Sequence, residues 1–202
     1  MWIAAISLIV LAFLLLLSSL ISLALTRVPV VRTPVEHLTQ IAAASGAGKG
    51  QLIVDAGCAD GRTLVGLCRL CGTSGRGYEM NIPVALAGKL RVLFSGRGHR
   101  GQRVKVFQRD FFRCELEDVD VVYCYLMPGV MGRVAKKCAE EMRPGACLVS
   151  YMWEVPACIP EKTFFFGTRA DPLYVYRMPV KSSQESDFFA DKLGEKLDGS
   201  DA

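Results

Sequence analysis

Short apolar runs alternate along the chain with stretches in which apolar residues recur every three or four positions. Nearly continuous apolar runs bounded by glycine, proline or charged residues are typical of strands that are buried on both faces of a parallel sheet. The run 119–125 is of this kind, and strands are predicted in all at residues 52–55, 76–79, 104–108, 119–125, 146–152, 162–166 and 173–177.

The stretches between these strands carry the helical period. They predict helices at residues 61–71, 83–94 and 131–142. A further helix is predicted at 34–45, with Thr33 as its cap, because a threonine oxygen accepts a hydrogen bond from the first turn. Strands that alternate with helices predict an α/β fold with a mostly parallel, right-handed seven-stranded sheet, and the hairpin-length loop 167–172 predicts an antiparallel last strand.

The N-terminal stretch differs from the rest of the chain. Its 24 residues from 2 to 25 contain no charge, no proline and no glycine. A helix of that length spans about 36 Å, and the hydrocarbon core of a bilayer is about 30 Å thick. The alternative is a cleaved signal peptide, but the run is longer than a usual signal sequence and no basic residue precedes it. We therefore predict a transmembrane helix.

Positive charges follow this stretch at Arg27, Arg32 and Lys49. Such charges favour the cytoplasmic side, or the matrix side in a mitochondrion, so the rest of the chain is expected on that side of a single-pass anchor. The predicted organisation is an anchor at 1–26, a linker and leading helix at 27–50, a wound α/β domain at 51–180 and a polar, disordered tail at 181–202.

Composition adds two constraints. The eight cysteines lie mostly inside apolar runs, where reduced cysteine behaves as a small hydrophobe, and the single C-x-x-C pair has no second pair, so we predict no metal site. Residues 89–113 hold eight lysines and arginines against one acid. This segment is either a solvated helix and loop or a surface that faces anionic lipid. Nucleic acid is not favoured, because no aromatic interleaving accompanies the charge.

Three acids mark the candidate chemistry. The stretch Q-L-I-V-D-A-G-C-A-D-G-R at 51–62 reads as a strand that ends in Asp55 and turns into a helix, while Glu79 ends the next strand and Asp110 follows the third. Open α/β sheets bind ligands at the carboxyl ends of their strands. Acids at three successive ends suit a cofactor with an ammonium group, ribose hydroxyls and an adenine, and not a pyrophosphate. The leading interpretation is S-adenosylmethionine (SAM).

The methionine end of that cofactor has candidate partners in the first strand and the loop after it. Gly57 and Gly61 let the backbone approach the methionine end, and Asp55 or Asp60 can take the ammonium group directly or through water. The dinucleotide motif needs G-x-G-x-x-G, whereas the glycines here are spaced G-x-x-x-G with Ala59 between them, which disfavours NAD.

The two acids that follow in the sequence, Glu79 and Asp110, are candidates for binding the nucleoside part of the cofactor. Glu79 can accept hydrogen bonds from both ribose hydroxyls, Asp110 can accept from the adenine amino group, and Phe111 can pack on the ring. A single strand-end acid is about as often a helix cap, since capping is a common use of aspartate. Three acids at the ends of three successive strands are harder to explain as helix caps.

The ordered motifs carry a family resemblance. They are the apolar N-terminal stretch, V-P-V-V-R-T-P (28–34), V-D-A-G-C-A-D-G-R (54–62), G-Y-E-M-N (77–81), Q-R-D-F-F (108–112), D-V-V-Y-C-Y-L-M-P (120–128) and R-P-G-A (143–146). Over roughly residues 1–178 the chain resembles class I SAM-dependent methyltransferases. Within that class it resembles the membrane-anchored lysine methyltransferases of the ATP synthase c-subunit and the adenine nucleotide translocase, with their bacterial relatives.

The resemblance implies a set of functional residues. Tyr125 to Pro128 would line the methyl-transfer site, and Tyr125 is our first choice for guiding the amine, ahead of Tyr123 and Glu154. Ala59 departs from the family, which often has glycine there. The implied SAM-binding residues are Asp55, Gly57, Asp60, Gly61, Glu79 and Asp110.

The sequence therefore predicts a single-pass membrane methyltransferase that uses SAM to methylate a lysine of a membrane or membrane-adjacent protein. Membrane lipid and the protein substrate are its expected partners, and nucleic acid is not, since the N-P-P-Y signature is missing. A lipid or small-molecule methyltransferase and a non-catalytic scaffold remain alternatives. Neither His37 nor His99 is given a role.

Overall fold

The computed structural model describes residues 2–26, 31–95 and 103–178. Its centre is one seven-stranded sheet with the order β3-β2-β1-β4-β5-β7-β6. The strands are β1 (Leu52–Ala56), β2 (Ser74–Glu79), β3 (Val104–Gln108), β4 (Val121–Cys124), β5 (Cys147–Tyr151), β6 (Lys162–Phe166) and β7 (Asp171–Arg177). Strands β1 to β5 are parallel, β7 is antiparallel to β5, and β6 is antiparallel to β7. The predicted α/β sheet is confirmed.

The helices follow the predicted alternation. They are α1 (Trp2–Thr26), α2 (Leu38–Ser45), α3 (Arg62–Cys71), α4 (Ile82–Phe94) and α5 (Met131–Glu141), with 3-10 turns at Val35–His37, Phe111–Arg113 and Pro128–Val130. Successive residues of a strand point to opposite faces of the sheet, so the sheet buries two apolar layers. One layer contains Val54, Val122 and Leu148 with Met131 and Val134 of α5. The other contains Ile53, Val121 and Val149 with Leu64 and Leu67 of α3.

Three strands start two residues away from the predicted position, and one of them, β7, starts at Asp171 instead of residue 173. β2 starts two residues earlier, at Ser74, because glycine lets α3 pack closely: a Cβ at Gly75 would lie 2.5 Å from the sulfur of Cys68. β4 starts two residues later, at Val121. Asp120 instead turns its carboxylate to the backbone N–H of Leu52, with 2.8 Å between the atoms, so this residue ties two strands together at their amino ends.

The prediction that Thr33 caps a helix is wrong. The helix begins as the 3-10 turn Val35–His37, and Pro34 occupies the capping position without any side-chain cap. The hydroxyl of Thr33 lies 2.6 Å from the hydroxyl of Tyr123, and both side chains are buried. A buried hydroxyl needs a partner, and this pair satisfies two such groups at once.

The apolar N-terminal stretch forms α1, a continuous helix of 25 residues. Within the described ranges, no helix combines the length and the apolar character that a membrane crossing requires. The structure therefore confirms a helix here and does not support the transmembrane span predicted for residues 1–26. The predicted tail at 181–202 lies outside the described residues, as do His99, Arg97 and Arg100 of the basic segment.

All eight cysteines carry free thiols, and six of them are buried. Five of these six, all except Cys58, pack among apolar side chains of the two layers. Burial is the main cause that raises the pKa of the Cys68 thiol to about 12, so this group stays protonated and unreactive at neutral pH. The prediction that the cysteines act as small core residues is confirmed for these six.

Candidate active site

The carboxyl ends of β1 and β2 bring two of the predicted acids together. Asp55 lies within β1 and Glu79 ends β2, the strand that pairs with β1 in parallel. They are close enough for the charge of Glu79 to raise the pKa of Asp55. Asp110 follows β3, the next strand in the sheet, so all three acids belong to the same edge.

Asp55 is the most unusual group of this edge. It is only 3% exposed, and one carboxylate oxygen, Oδ2, has no hydrogen-bond partner among the described residues. Burial, followed by the charge of Glu79, raises the pKa of Asp55 to about 8. A buried acceptor without a partner destabilises the fold. A cationic ligand such as an ammonium group would supply both the missing hydrogen bond and the missing charge.

Glu79 is held in a fixed orientation. Its Oε2 accepts a hydrogen bond from the backbone N–H of Ala59 at 3.1 Å, and its Oε1 accepts from the N–H of Asn81 at 2.7 Å. Each carboxylate oxygen has two lone pairs, so one on each atom remains for a further donor. The carboxylate is thus oriented by backbone on both sides and can still accept two vicinal hydroxyls.

The loop after β1 depends on backbone conformations that favour glycine. Gly57 has φ +79° and Gly61 has φ +71°. A Cβ at Gly57 would lie 2.7 Å from Cδ2 of Leu126, so this glycine is also required by the close approach of a neighbouring loop. Ala59 has φ +47°, in the same left-handed region, so it adopts the conformation that the family's usual glycine would adopt freely.

Asp60 is engaged by protein groups. Its Oδ2 lies 2.9 Å from Nη2 of Arg91 and 3.4 Å from Nη2 of Arg32, and its Oδ1 accepts from the backbone N–H of Arg62. Of the two acids predicted to take an ammonium group, Asp55 is thus the one with an unpartnered oxygen. Asp60 ties α4 and the segment before the 3-10 turn to the loop, and its direct role toward SAM stays a prediction.

Asp110 and Phe111 occupy the turn after β3. Asp110 caps the 3-10 turn Phe111–Arg113 by accepting from the N–H of Phe112 at 2.9 Å through one oxygen. Phe111 is only 5% exposed, and its ring packs against Tyr78 and Phe112 at centroid distances of 6.4 and 5.5 Å. The prediction that this ring packs on an adenine remains a prediction, as does the role of Asp110.

A cleft at this edge is lined in part by residues 31–33, a segment that the sequence analysis placed within the motif 28–34 but not in the site. Val31, Arg32 and Thr33 line it together with Asp55 and Tyr125. The segment is held by the hydroxyl pair of Thr33 and by the ion pair of Arg32 described above. The only sequence signal for this role was its flanking prolines, which favour an extended path.

Of the predicted methyl-transfer residues, Tyr125 lines the same cleft. Tyr125 follows β4 and is partly buried, and its ring meets that of Tyr151 edge to face at 4.9 Å. Pro128 opens the exposed 3-10 turn Pro128–Val130. Of the weaker candidates, Tyr123 is buried with its hydroxyl on Thr33, and Glu154 is exposed on the loop after β5.

A buried histidine joins this edge, although its sequence context indicated no role. Nδ1 of His37 lies 2.8 Å from the hydroxyl of Tyr151. That hydroxyl donates to Oδ2 of Asp171 at 2.9 Å. Residues 37, 151 and 171 are far apart in sequence, so nothing in their local patterns could have connected them.

Comparison with known proteins identifies relatives of this chain. A family model described as the ANTKMT methyltransferase domain matches residues 55–162, more than half of the chain. A protein-lysine N-methyltransferase of Saccharolobus islandicus (strain REY15A) is 24% identical over 155 residues, which cover 74% of this chain and 92% of that protein.

Solved structures share the fold. An RNA methyltransferase from Salinibacter ruber, in complex with S-adenosyl-L-homocysteine, superimposes with a TM-score of 0.68 at 22% identity and covers 75% of this chain and 96% of its own. The magnesium protoporphyrin IX methyltransferase of Synechocystis PCC 6803, with bound SAM, has a TM-score of 0.55 at 15% identity and covers 71% of this chain and 77% of its own. At these identities the likeness shows the fold alone.

The sheet order, the acid-lined edge and the family match define the chain as a SAM-dependent methyltransferase. The unpartnered oxygen of Asp55 and the doubly oriented carboxylate of Glu79 fit an ammonium group and a ribose. In particular, the chain belongs to the family of the ANTKMT methyltransferase domain, since the model of that family covers more than half of its length. The resemblance stated from the motifs is thereby confirmed.

Proposed function

We propose that this enzyme methylates the side-chain amine of a lysine in a protein substrate. The observation that carries the proposal is the position of Tyr125, which lines the same cleft as the unpartnered carboxylate of Asp55. A donor whose ammonium group lies on Asp55 would share that cleft with a partly buried tyrosine. The name of the relative from Saccharolobus islandicus supports lysine as the acceptor.

The residues of the cleft have separate tasks in this proposal. Asp55 holds the ammonium group of SAM, Glu79 accepts from the ribose hydroxyls, and Asp110 offers its second oxygen to the adenine amino group. When bound, SAM supplies a methyl group on a sulfonium, which is already a good leaving group. The protein therefore contributes mainly alignment and exclusion of water.

The acceptor nitrogen must arrive without its proton. A free lysine has a pKa of about 10.4, and burial of an amine favours its neutral form. Tyr125 is placed to bury the end of a lysine side chain, because its ring already forms an aromatic corner with Tyr151. Pro128 and the turn that it opens would form the rim of this entrance.

We further propose that the enzyme works at a membrane, with the catalytic domain on the cytoplasmic side, or on the matrix side in a mitochondrion. Apolar side chains support this location: Trp2 and Leu8 of α1 and Leu90, Leu93 and Phe94 of α4 are exposed. Large exposed apolar patches mark interaction surfaces, and the positive charges after α1 favour that side. A location beside the substrate raises its effective concentration.

One experiment tests the acceptor. The full-length enzyme is incubated with membrane extract and SAM labelled in the methyl group, and the protein and lipid fractions are counted separately. We expect label on lysine in the protein fraction. Label confined to lipid would support the alternative, a lipid methyltransferase, and would overturn the lysine proposal. The matched control is Glu79→Gln, which keeps the size of the side chain but removes its charge, and which should lower labelling through SAM affinity.

A further inference from the structure

The edge of the sheet beyond Tyr125 carries a polar cluster to which the proposed function assigns no contact with the cofactor. It consists of His37, Tyr151 and Asp171, which lie on the 3-10 turn before α2, at the end of β5 and at the start of β7. Because β7 is antiparallel to β5, its first residue lies at the carboxyl end of β5. The cluster therefore lies at the same edge of the sheet as the carboxyl end of β4, where the predicted methyl-transfer segment begins.

The cluster fixes one carboxylate in place. The hydroxyl of Tyr151 donates to Oδ2 of Asp171 at 2.9 Å, and a hydroxyl has only one hydrogen, so Nδ1 of His37 must donate to the oxygen of Tyr151 at 2.8 Å. Burial, followed by the hydrogen bond and the charge of Asp171, raises the pKa of Tyr151, so the phenol keeps its proton. His37 and Tyr151 are buried, and such positions hold their side chains firmly.

Asp171 itself is not closed off. Its side chain is 19% exposed, whereas that of His37 is 8% exposed. Tyr151 links the carboxylate to the methyl-transfer segment, because its hydroxyl donates to Asp171 and its ring meets that of Tyr125 at 4.9 Å. The charge of Asp171, after burial, raises the pKa of Tyr125. An oriented carboxylate with one open side, next to an aromatic corner, is an arrangement that binds an organic cation.

We infer that Asp171 receives the charged nitrogen of the substrate amine, with Tyr125 as the wall beside it and with Tyr151 and His37 as positioning residues. This inference rests on the proposed function, because it assigns the acceptor end of the same site. It gives the substrate class a physical basis: a lysine enters as a cation that the carboxylate attracts, and a neutral hydroxyl compound lacks that attraction.

The methyl transfer moves positive charge onto the substrate nitrogen. The ammonium group first loses a proton to water on the exposed side of Asp171, and the neutral nitrogen then attacks the methyl carbon of SAM. The C–S bond breaks with its electron pair on sulfur, so S-adenosylhomocysteine leaves uncharged and the nitrogen becomes positive beside Asp171. A fixed carboxylate near that nitrogen stabilises the transition state more than it stabilises the neutral amine. Loss of this charge should therefore weaken substrate binding.

The test measures binding of a lysine side-chain mimic. The full-length protein is loaded with S-adenosylhomocysteine and titrated calorimetrically with n-butylammonium chloride, and with butan-1-ol as the neutral comparison. The variant is Asp171→Asn, which keeps an oxygen for the Tyr151 hydroxyl. The control is Glu161→Gln, at the opposite end of the same hairpin, where the carboxylate pairs with Arg177.

We expect Asp171→Asn to weaken n-butylammonium binding by about tenfold or more, since a hydrogen bond to a charged group is lost. The affinities of this variant for butan-1-ol and for S-adenosylhomocysteine should stay within about twofold of those of the unsubstituted protein, because neither ligand depends on the charge of Asp171. The control should behave like the unsubstituted protein in all three titrations. Unchanged n-butylammonium binding in a variant that still binds S-adenosylhomocysteine would overturn the inference.

A second variant tests the positioning residues. Tyr151→Phe removes the hydroxyl that orients Asp171 but leaves the carboxylate, so it should weaken n-butylammonium binding by less than Asp171→Asn does. With labelled SAM and membrane extract, Asp171→Asn should raise the apparent KM for the protein fraction while the KM for SAM is unchanged. Absence of any protein label with the unsubstituted enzyme would refute the lysine proposal, whereas the binding titrations judge Asp171 independently.

Discussion

Replacement of Asp55 by asparagine should stabilise the ligand-free protein and abolish SAM binding. Asparagine has nearly the same shape as aspartate but carries no charge. In the ligand-free fold, this carboxyl is buried, and one of its oxygens has no partner among the described residues. The residue therefore destabilises the fold whenever it is ionised, and the amide removes that cost.

The magnitude follows from the pKa. Burial and Glu79 raise the pKa of Asp55 from 3.8 to about 8. The folded protein thus holds this proton more tightly than the unfolded chain does, so the carboxyl favours the fold below about pH 4 and this contribution is lost as the pH rises to about 8. At about 1.4 kcal/mol for each of roughly four pH units, the loss approaches about 6 kcal/mol above pH 8, and it is about 5 kcal/mol at pH 8 itself, where half of the folded molecules are still protonated. It corresponds to about 10 °C in the melting temperature at pH 8.

The assay is thermal unfolding of both proteins between pH 4 and pH 8. The quantity to follow is the difference between Asp55→Asn and the unsubstituted protein, since titrating groups that do not interact with Asp55 cancel in it. We expect the difference to grow with pH in favour of the variant, while calorimetry shows that the variant no longer binds SAM. A difference that does not change with pH, or a variant with normal SAM affinity, would refute the argument for an unpaired buried carboxylate.

Two further predictions concern the loop after β1 and the segment 31–33. Gly57→Ala should lose SAM binding and should melt at a lower temperature than the control variant Gly145→Ala. Both glycines have positive φ, but only a Cβ at position 57 would meet a side chain, that of Leu126, so equal melting temperatures would exclude the steric cause. Tyr123→Phe should speed SAM release and cost about 1 kcal/mol of stability, since Thr33 loses its partner over the cleft; stopped-flow displacement measures the release rate, and an unchanged rate would contradict a covering role.

The strands and the first acids were predictable because each depends on a local pattern. Apolar runs such as those of β4 and β5 are buried on both faces of the sheet, and burial requires that composition wherever the strand lies. Acids at the ends of parallel strands share an edge by topology alone, so Asp55 and Glu79 were placed together without coordinates. The start of β2 was missed because Gly75 is required by the sulfur of Cys68, a neighbour in space.

The sequence by itself thus determined the fold class, the edge of the sheet that carries the acids, and the family. Strand burial, loop glycines and strand-end acids each depend on only a few neighbouring residues. Only the tertiary structure decided how the polar groups are paired. Thr33 binds Tyr123, Asp60 binds two arginines, and Asp171 is oriented by a tyrosine and a histidine. A hydrogen bond needs its two atoms within about 3 Å, and residues so far apart in sequence reach that distance only when the whole chain has folded.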